Sequence, residues 1–270
     1  MLGVVFAHNV FTVEFLFDRL PLYIVALYPG VVTLAYEVVR SLGVFRDRGT
    51  LIGALCVGFV HHCFYEVFDQ LGPQLRWWAW NTDNTVNSPM LASVPMTSVF
   101  IFATLGPIVV TVLVLFLVRG RQSGRVWRTV LAGVLTPLGL VVLSVPTTVF
   151  GGDNPNITAQ AVLFSIEIAV IVAVGLVTLW RQWLGIRAGT VEAPEPNSFV
   201  RVFGPLYLVV LAFLWATALP DYFGATDGVT FDGAPVGSLL YVTVSFLGAT
   251  ACVAAVVTAK HTTPVPATRP

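Results

Sequence analysis

The chain has 270 residues, of which 56% are hydrophobic and 10% are charged, and its mean hydropathy is +0.84. Soluble domains carry about 25% charged residues, so this composition excludes a soluble globular protein and predicts an all-α, polytopic membrane protein. The 14 basic and 14 acidic residues give a net charge of zero, which leaves no basic face for nucleic-acid phosphates. We therefore expect the lipid bilayer as a partner and no nucleic acid.

Seven apolar runs, each of about 20 residues, predict seven transmembrane helices in a single domain that covers residues 1–270. The predicted helices are 20–42, 50–71, 91–118, 126–146, 159–183, 199–219 and 237–259. Loop 188–198 and tail 262–270 are rich in Pro, Thr and Glu, and they are predicted to be flexible. The start of the chain lacks the pattern of a cleaved signal peptide, so insertion is expected to rely on the first helix.

Arginines occupy alternate connections between the predicted helices. They are Arg40, Arg46, Arg48, Arg119, Arg121, Arg125, Arg128, Arg181, Arg187 and Arg201. The other connections carry mainly aspartates, so the positive-inside rule predicts the N-terminus outside and the C-terminus inside. Thirteen of the 14 basic residues are Arg, a bias that indicates a GC-rich genome, and the expected location is a bacterial cell membrane.

The second predicted helix carries four ionisable side chains within nine residues: His61, His62, Glu66 and Asp69. Such groups are costly in hydrocarbon, so a span that keeps four of them predicts a functional site. Spacings of four and three residues place His62, Glu66 and Asp69 on one helical stripe. At 1.5 Å per residue, Glu66 lies about 9 Å and His62 about 15 Å below the outer end of the helix.

Glu167 in the fifth predicted helix lies about 12 Å below the same side of the membrane. We therefore expect carboxyl groups from the second and fifth helices to meet around an apolar hollow. A different acid, Glu37, stands one turn from Arg40 near the opposite end of the first helix. The spacing of Glu37 and Arg40 predicts an ordinary ion pair at the interface.

Aromatic residues cluster directly after the second helix, where three of the seven tryptophans fall within four residues. Single interfacial tryptophans commonly anchor helices in membranes. A group of rings over a pocket can also stabilise a carbocation through the ring quadrupole. The predicted substrate-binding residues are Trp77, Trp78, Trp80, Asn81, Tyr65, Trp215 and Tyr241. Core packing explains Trp215 and Tyr241 equally well.

A carboxyl group in an apolar pocket favours its neutral form, which is the form that can protonate an alkene. We expect Glu66 or Asp69 to donate the proton and Glu167 and His62 to receive or relay it, without a dissociable cofactor. A structural role as hydrogen-bonding glue between helices is the alternative. A metal site is not expected, because neither an HExxH pattern nor a deep histidine on another helix completes a ligand set.

Three resemblances, each over less than a fifth of the chain, point to related chemistry. The run VHHCFYE at residues 60–66 resembles the His-x-x-x-Glu helix of the emopamil-binding-protein family of sterol isomerases, which implies that His62 and Glu66 form the proton-handling pair. The same acidic helix is similar to that of the membrane-bound terpene cyclases of meroterpenoid pathways. Trp78 and Trp80, followed by Val94-Pro95, resemble a motif of membrane-bound carotenoid hydratases and cyclases. The three groups share protonation of isoprenoid double bonds, although the helix count differs from that of the isomerases.

The resulting expectation is a non-redox enzyme that cyclises or isomerises an isoprenoid or another apolar small molecule. A proton-coupled transporter or a small-molecule-binding seven-helix protein is the alternative, because the ionisable groups can also form a proton relay. A hydrolase with Ser165 as nucleophile has little support, since Ser165 lies on a different helix from the histidines. A retinal-binding opsin is excluded, because the middle of the seventh helix reads VTVSF and lacks the required lysine.

Overall fold

The computed structural model describes residues 5–17, 19–152, 154–192 and 197–259. The chain is mostly helical, 68% in all, and the described residues include seven helices that are long and apolar enough to cross a membrane. These helices are α1 (Leu22–Ser41), α2 (Val44–Asp69), α3 (Met96–Leu117), α4 (Arg125–Leu143), α5 (Ile157–Arg187), α6 (Ser198–Phe223) and α7 (Leu239–Val257). The prediction of seven spanning helices is therefore confirmed.

The predicted helix boundaries agree with the observed ones to within a few residues, with two informative differences. α2 begins at Val44, but Gly49 has φ of 80° and breaks the helix, so its straight part starts where the apolar pattern predicts. α5 extends to Arg187, past the predicted end at residue 183. Of the predicted flexible segments, residues 193–196 and the whole tail 262–270 lie outside the described residues.

α2 is the central helix of the bundle. It packs against α1, α3, α5 and α7, and 83% of its most apolar 18-residue window is buried. Close approach depends partly on glycines: a Cβ on Gly175 of α5 would lie 2.3 Å from the Cβ of Phe59. Small residues at helix contacts let membrane helices pack closely. Because its neighbours cover it, α2 keeps ionisable residues away from lipid.

Six short strands, which the all-α prediction did not include, form three antiparallel pairs among the described residues. The strands are β1 (Phe6–His8), β2 (Glu14–Phe15), β3 (Leu20–Pro21), β4 (Trp78–Trp80), β5 (Met90–Leu91) and β6 (Val94–Pro95). β1 pairs with β4 so that Phe6 faces Trp80 and His8 faces Trp78. This pairing joins the N-terminal segment to the tryptophan-rich connection after α2.

α3 is not a regular helix, because residues Ile101–Leu105 form a π-helical segment between two α-helical parts. Such segments are rare and often lie at functional sites. At the end of the bundle opposite the short strands, Arg40 and Glu37 form the predicted ion pair. Nη2 of Arg40 lies 2.8 Å from Oε2 of Glu37. The ends of the bundle thus differ: arginines lie at one, and short strands with aromatic side chains lie at the other.

Candidate functional site

A cavity of about 440 Å³ lies at the end of the bundle that carries the short strands. Its walls come from α1, α2, α3 and α4, and the strands β1, β3 and β4 complete them. Cavities of roughly 300–1,000 Å³ with mostly apolar walls and a few polar groups are typical of small-molecule sites. The polar side chains in this lining are His8, Tyr28, Tyr65, Asp69 and Thr136.

Asp69, the last residue of α2, supplies the carboxyl group of the cavity. Its side chain is buried, with the residue only 1% exposed, and Oδ2 accepts a hydrogen bond from Oγ of Ser98 at 2.7 Å. Ser98 lies in the first turn of α3, one helical turn before the π-helical segment. The bond fixes one carboxyl oxygen, and the carboxyl group as a whole faces an apolar space.

Two tyrosines form the second polar feature of the cavity. The hydroxyl groups of Tyr28 on α1 and Tyr65 on α2 are 2.7 Å apart, which is hydrogen-bond distance. Their rings are also in contact, with centroids 5.5 Å apart. Tyr65 is one of the predicted substrate-binding residues, whereas Tyr28 is not, because a single tyrosine in an apolar helix carries no signal about which neighbour it contacts.

Aromatic rings enclose the cavity near Asp69. Phe68, Trp78 and Trp80 belong to its lining, and Trp78 lies 5.1 Å from Phe68 between ring centroids. Trp77 also packs against Phe68, at 5.4 Å between ring centroids, and is not part of the lining. Asn81 also lies outside it, where its side-chain oxygen accepts a hydrogen bond from the backbone N–H of Asp83.

The predicted pair His62 and Glu66 does not line this cavity. Tyr241 on α7 bonds to Nε2 of His62 at 2.8 Å, and Gln70 donates to Oε2 of Glu66 at 3.4 Å. Successive residues turn by about 100° around a helix, so Glu66 is rotated by about 60° from Asp69 and about 100° from Tyr65. This rotation directs Glu66 toward α7, whereas Asp69 and Tyr65 face α1 and α3. His62 is rotated by only about 20° from Asp69, but it lies seven residues, about 10 Å, deeper along α2, where it meets Tyr241 of α7.

The pair His62 and Glu66 has two buried atoms without a hydrogen-bond partner in the described part of the chain. These atoms are Nδ1 of His62 and Oε1 of Glu66. The neighbouring His61 has one bond: its Nδ1 is 2.9 Å from the carbonyl oxygen of Ala103, inside the π-helical segment. The π-helical geometry of α3 therefore offers a carbonyl to His61, and that histidine ties α2 to α3.

Two further predicted residues, Trp215 and Glu167, do not line the cavity. Trp215 of α6 is buried and donates from Nε1 to the carbonyl oxygen of Val67 at 2.9 Å. Glu167 is partly buried on α5 and is not a lining residue of the cavity, and its Oε2 has no hydrogen-bond partner among the described residues. We expected carboxyl groups from α2 and α5 to meet around an apolar hollow. They do not meet in this cavity, where Asp69 is the only lining residue with a carboxyl group.

His8 was not among the predicted site residues, yet it lines the cavity. Its Nδ1 is 3.0 Å from the hydroxyl of Tyr23, and its ring contacts Trp78 at 6.2 Å between centroids. Partial burial lowers the pKa of the His8 imidazole below its ordinary value of 6.5, and the Trp77 carbonyl and the charge of Glu14 oppose this effect. Only the pairing of β1 with β4 brings His8 here, and no sequence pattern indicated it.

No protein-family model, curated protein or solved structure matches this chain.

Proposed function

We propose that this protein is an integral membrane enzyme that isomerises or cyclises an isoprenoid or terpenoid lipid, with Asp69 as the proton donor. One observation carries the proposal: a buried carboxyl group borders an apolar cavity of about 440 Å³ that is walled by aromatic rings. The sequence left the choice between Glu66 and Asp69 open. The position of Asp69 in the lining favours it as the donor.

The chemistry follows from the neutral carboxyl group. Desolvation favours the protonated form of a buried carboxyl, and this form can transfer its proton to one carbon of an alkene. The π electrons form the new C–H bond, the other carbon becomes a cation, and Asp69 is left as a carboxylate. Ser98 stabilises that carboxylate by its hydrogen bond, and the faces of Trp78 and Trp80 stabilise the cation.

The walls of the cavity also support an apolar substrate that enters from the bilayer. Phe102 of α3 is 37% exposed and belongs to the lining, and Leu140 of α4 lines the same side and is partly exposed. In a membrane these side chains face lipid tails. A lipid that diffuses in the bilayer therefore reaches the cavity beside Phe102 and Leu140 without passing through water.

The proposal includes an orientation and a location. Arginines flank the bundle end opposite the cavity, so the positive-inside rule assigns that end to the cytoplasm, with the N-terminus outside and the C-terminus inside. The cavity then lies in the outer half of the bilayer. The arginine bias supports a bacterial cell membrane as the location. A cysteine placed in loop 225–236 and labelled from outside intact cells tests the orientation.

The test of function compares Asp69→Asn with Glu66→Gln in a host membrane supplied with farnesol, geranylgeraniol and squalene. Both changes keep the side-chain size and remove one carboxyl group from α2, so Glu66→Gln is the matched control. We expect the native chain and Glu66→Gln to give a new lipid product by mass spectrometry and Asp69→Asn to give none. Absence of product from the native chain, or an unchanged product from Asp69→Asn, contradicts the proposal.

A proton-coupled transporter is the second candidate, because His62, Glu66 and Asp69 follow one another along a helix that the bundle buries. Ionisable groups in series within a membrane are typical of proton relays. Proteoliposomes containing a pH-sensitive dye separate the two candidates. A transporter moves protons when a substrate gradient is applied, and Glu66→Gln stops that flux, whereas the enzyme changes the lipid and moves no net protons.

A further inference from the structure

The cavity contains a second group that can exchange a proton near neutral pH. Among its lining residues, Asp69 and His8 are the acid and the imidazole, and the other ionisable side chains there are the phenols of Tyr28 and Tyr65. Phenols are weak bases, and these two already bond to each other at 2.7 Å. His8 is therefore the lining side chain best suited to accept a proton from a substrate cation.

His8 is held at the cavity by contacts on several elements. β1 pairs with β4 and sets His8 opposite Trp78. The hydroxyl of Tyr23 on α1 is 3.0 Å from Nδ1 of His8, and the Tyr23 ring packs against the imidazole edge at 5.8 Å between centroids. Phe6 contacts the imidazole from the same strand at 5.2 Å. These contacts orient the ring.

We propose that His8 is the catalytic base that removes a proton from the carbocation formed by Asp69, which makes the product an alkene with the same composition as the substrate. This inference rests on the proposed function. Asp69 transfers a proton to one alkene carbon. A C–H bond next to the cation then breaks, its electrons form the new double bond, and the proton goes to a ring nitrogen of His8.

A catalytic base must be unprotonated before it accepts a proton, and the environment of His8 favours its neutral form. Glu14 of β2, Tyr23 of α1 and Asp69 of α2 are the ionisable groups that face it, and β4 presents tryptophans. Partial burial lowers the pKa of His8 below its ordinary value of 6.5, so the imidazole is neutral at pH 7, the form in which one ring nitrogen carries a lone pair. As the pH falls through this pKa, His8 becomes protonated and loses its capacity as a base.

His8 is only partly buried, whereas Asp69 is 1% exposed. The protonated imidazole can therefore pass its proton to interfacial water, and water that enters the vacated cavity returns a proton to Asp69. The cycle consumes no net proton and needs no further reactant. It also predicts that one hydrogen of the product comes from solvent through Asp69.

The experiment uses membranes in D₂O with farnesol, geranylgeraniol and squalene as probes, and it compares the native chain with His8→Gln and Val10→Ala. Val10 is 85% exposed near β1 and serves as the matched control. We expect the native chain and Val10→Ala to give a product isomeric with its probe and carrying a single deuterium. In His8→Gln, kcat should fall by about 100-fold or more, the scale of general base catalysis, with KM little changed.

The pH profile is the readout that a purely structural role does not change. For the native chain, kcat/KM should decline as the pH falls below 6.5, the ordinary value from which burial lowers the pKa of His8, and His8→Gln should lack this decline. If His8→Gln keeps the native rate, product ratio and acid decline while Asp69→Asn is inactive, His8 is not the base and the proposed function stands. If the native chain gives no product, both proposals fall.

Discussion

The tyrosine pair in the cavity gives a quantitative test of the structure through a double-mutant cycle. Tyr28→Phe and Tyr65→Phe each remove one hydroxyl of a hydrogen bond of 2.7 Å and leave the other without its partner. Such bonds in membrane proteins contribute about 0.6 kcal/mol on average and up to about 1.7 kcal/mol. We expect each single change to lower the free energy of unfolding by about 0.5–1.5 kcal/mol, with Tyr65→Phe the larger because Tyr65 is 3% exposed.

The double variant should lose about as much as Tyr65→Phe alone, since the second substitution removes a hydroxyl that is already unpaired. Reversible unfolding in mixed micelles gives the free energy of unfolding of the native chain, the two single variants and the double variant. Tyr36→Phe, whose partly exposed hydroxyl has no hydrogen bond among the described residues, is the control and should change stability by less than about 0.5 kcal/mol. If the effects of Tyr28→Phe and Tyr65→Phe add to within about 0.3 kcal/mol, the two hydroxyls are not bonded and the reasoning is refuted.

Two further changes test the packing around α2. Gly175→Ala places a Cβ 2.3 Å from that of Phe59, so it should destabilise the protein by about 1–3 kcal/mol in the same unfolding assay. Gly133→Ala is the control, because its new Cβ meets nothing within 4 Å, and it should not destabilise the protein. Equal losses of stability in the two variants would contradict the close contact between α2 and α5. Tyr241→Phe removes the bond of 2.8 Å to His62 and should cost about 1–2 kcal/mol while product formation continues. Loss of product with unchanged stability would instead assign His62 a chemical role.

The bundle could be predicted from the sequence because spanning helices are defined by local composition. Runs of about 20 apolar residues gave all seven helices, and the Gly49 break lies where the apolar pattern of α2 begins. The sequence also shows directly that α2 is the span with four ionisable side chains within nine residues. These features depend on residues near one another in the chain, so a single sequence is sufficient for them.

The site could be predicted only in part, because it depends on which neighbour each face of α2 meets. Spacing placed Glu66 and Asp69 on one stripe, but a rotation of about 60° sends one toward α7 and the other into the cavity. The bond from Ser98 to Asp69 and the arrival of His8 depend on contacts between distant segments. No periodicity encodes such contacts, and short strands of two or three residues leave almost no pattern.

The burial of α2 has a consequence for biogenesis. Among the described spans, α2 has the lowest mean hydropathy, 1.5, and it carries His61, His62 and Glu66, side chains that are costly to place in hydrocarbon. During synthesis this segment leaves the ribosome before α3, α5 and α7 exist to surround it. Stable integration of α2 therefore depends on later segments, and truncated chains that stop after Gly72 should integrate their second span less completely than chains that continue through Leu117.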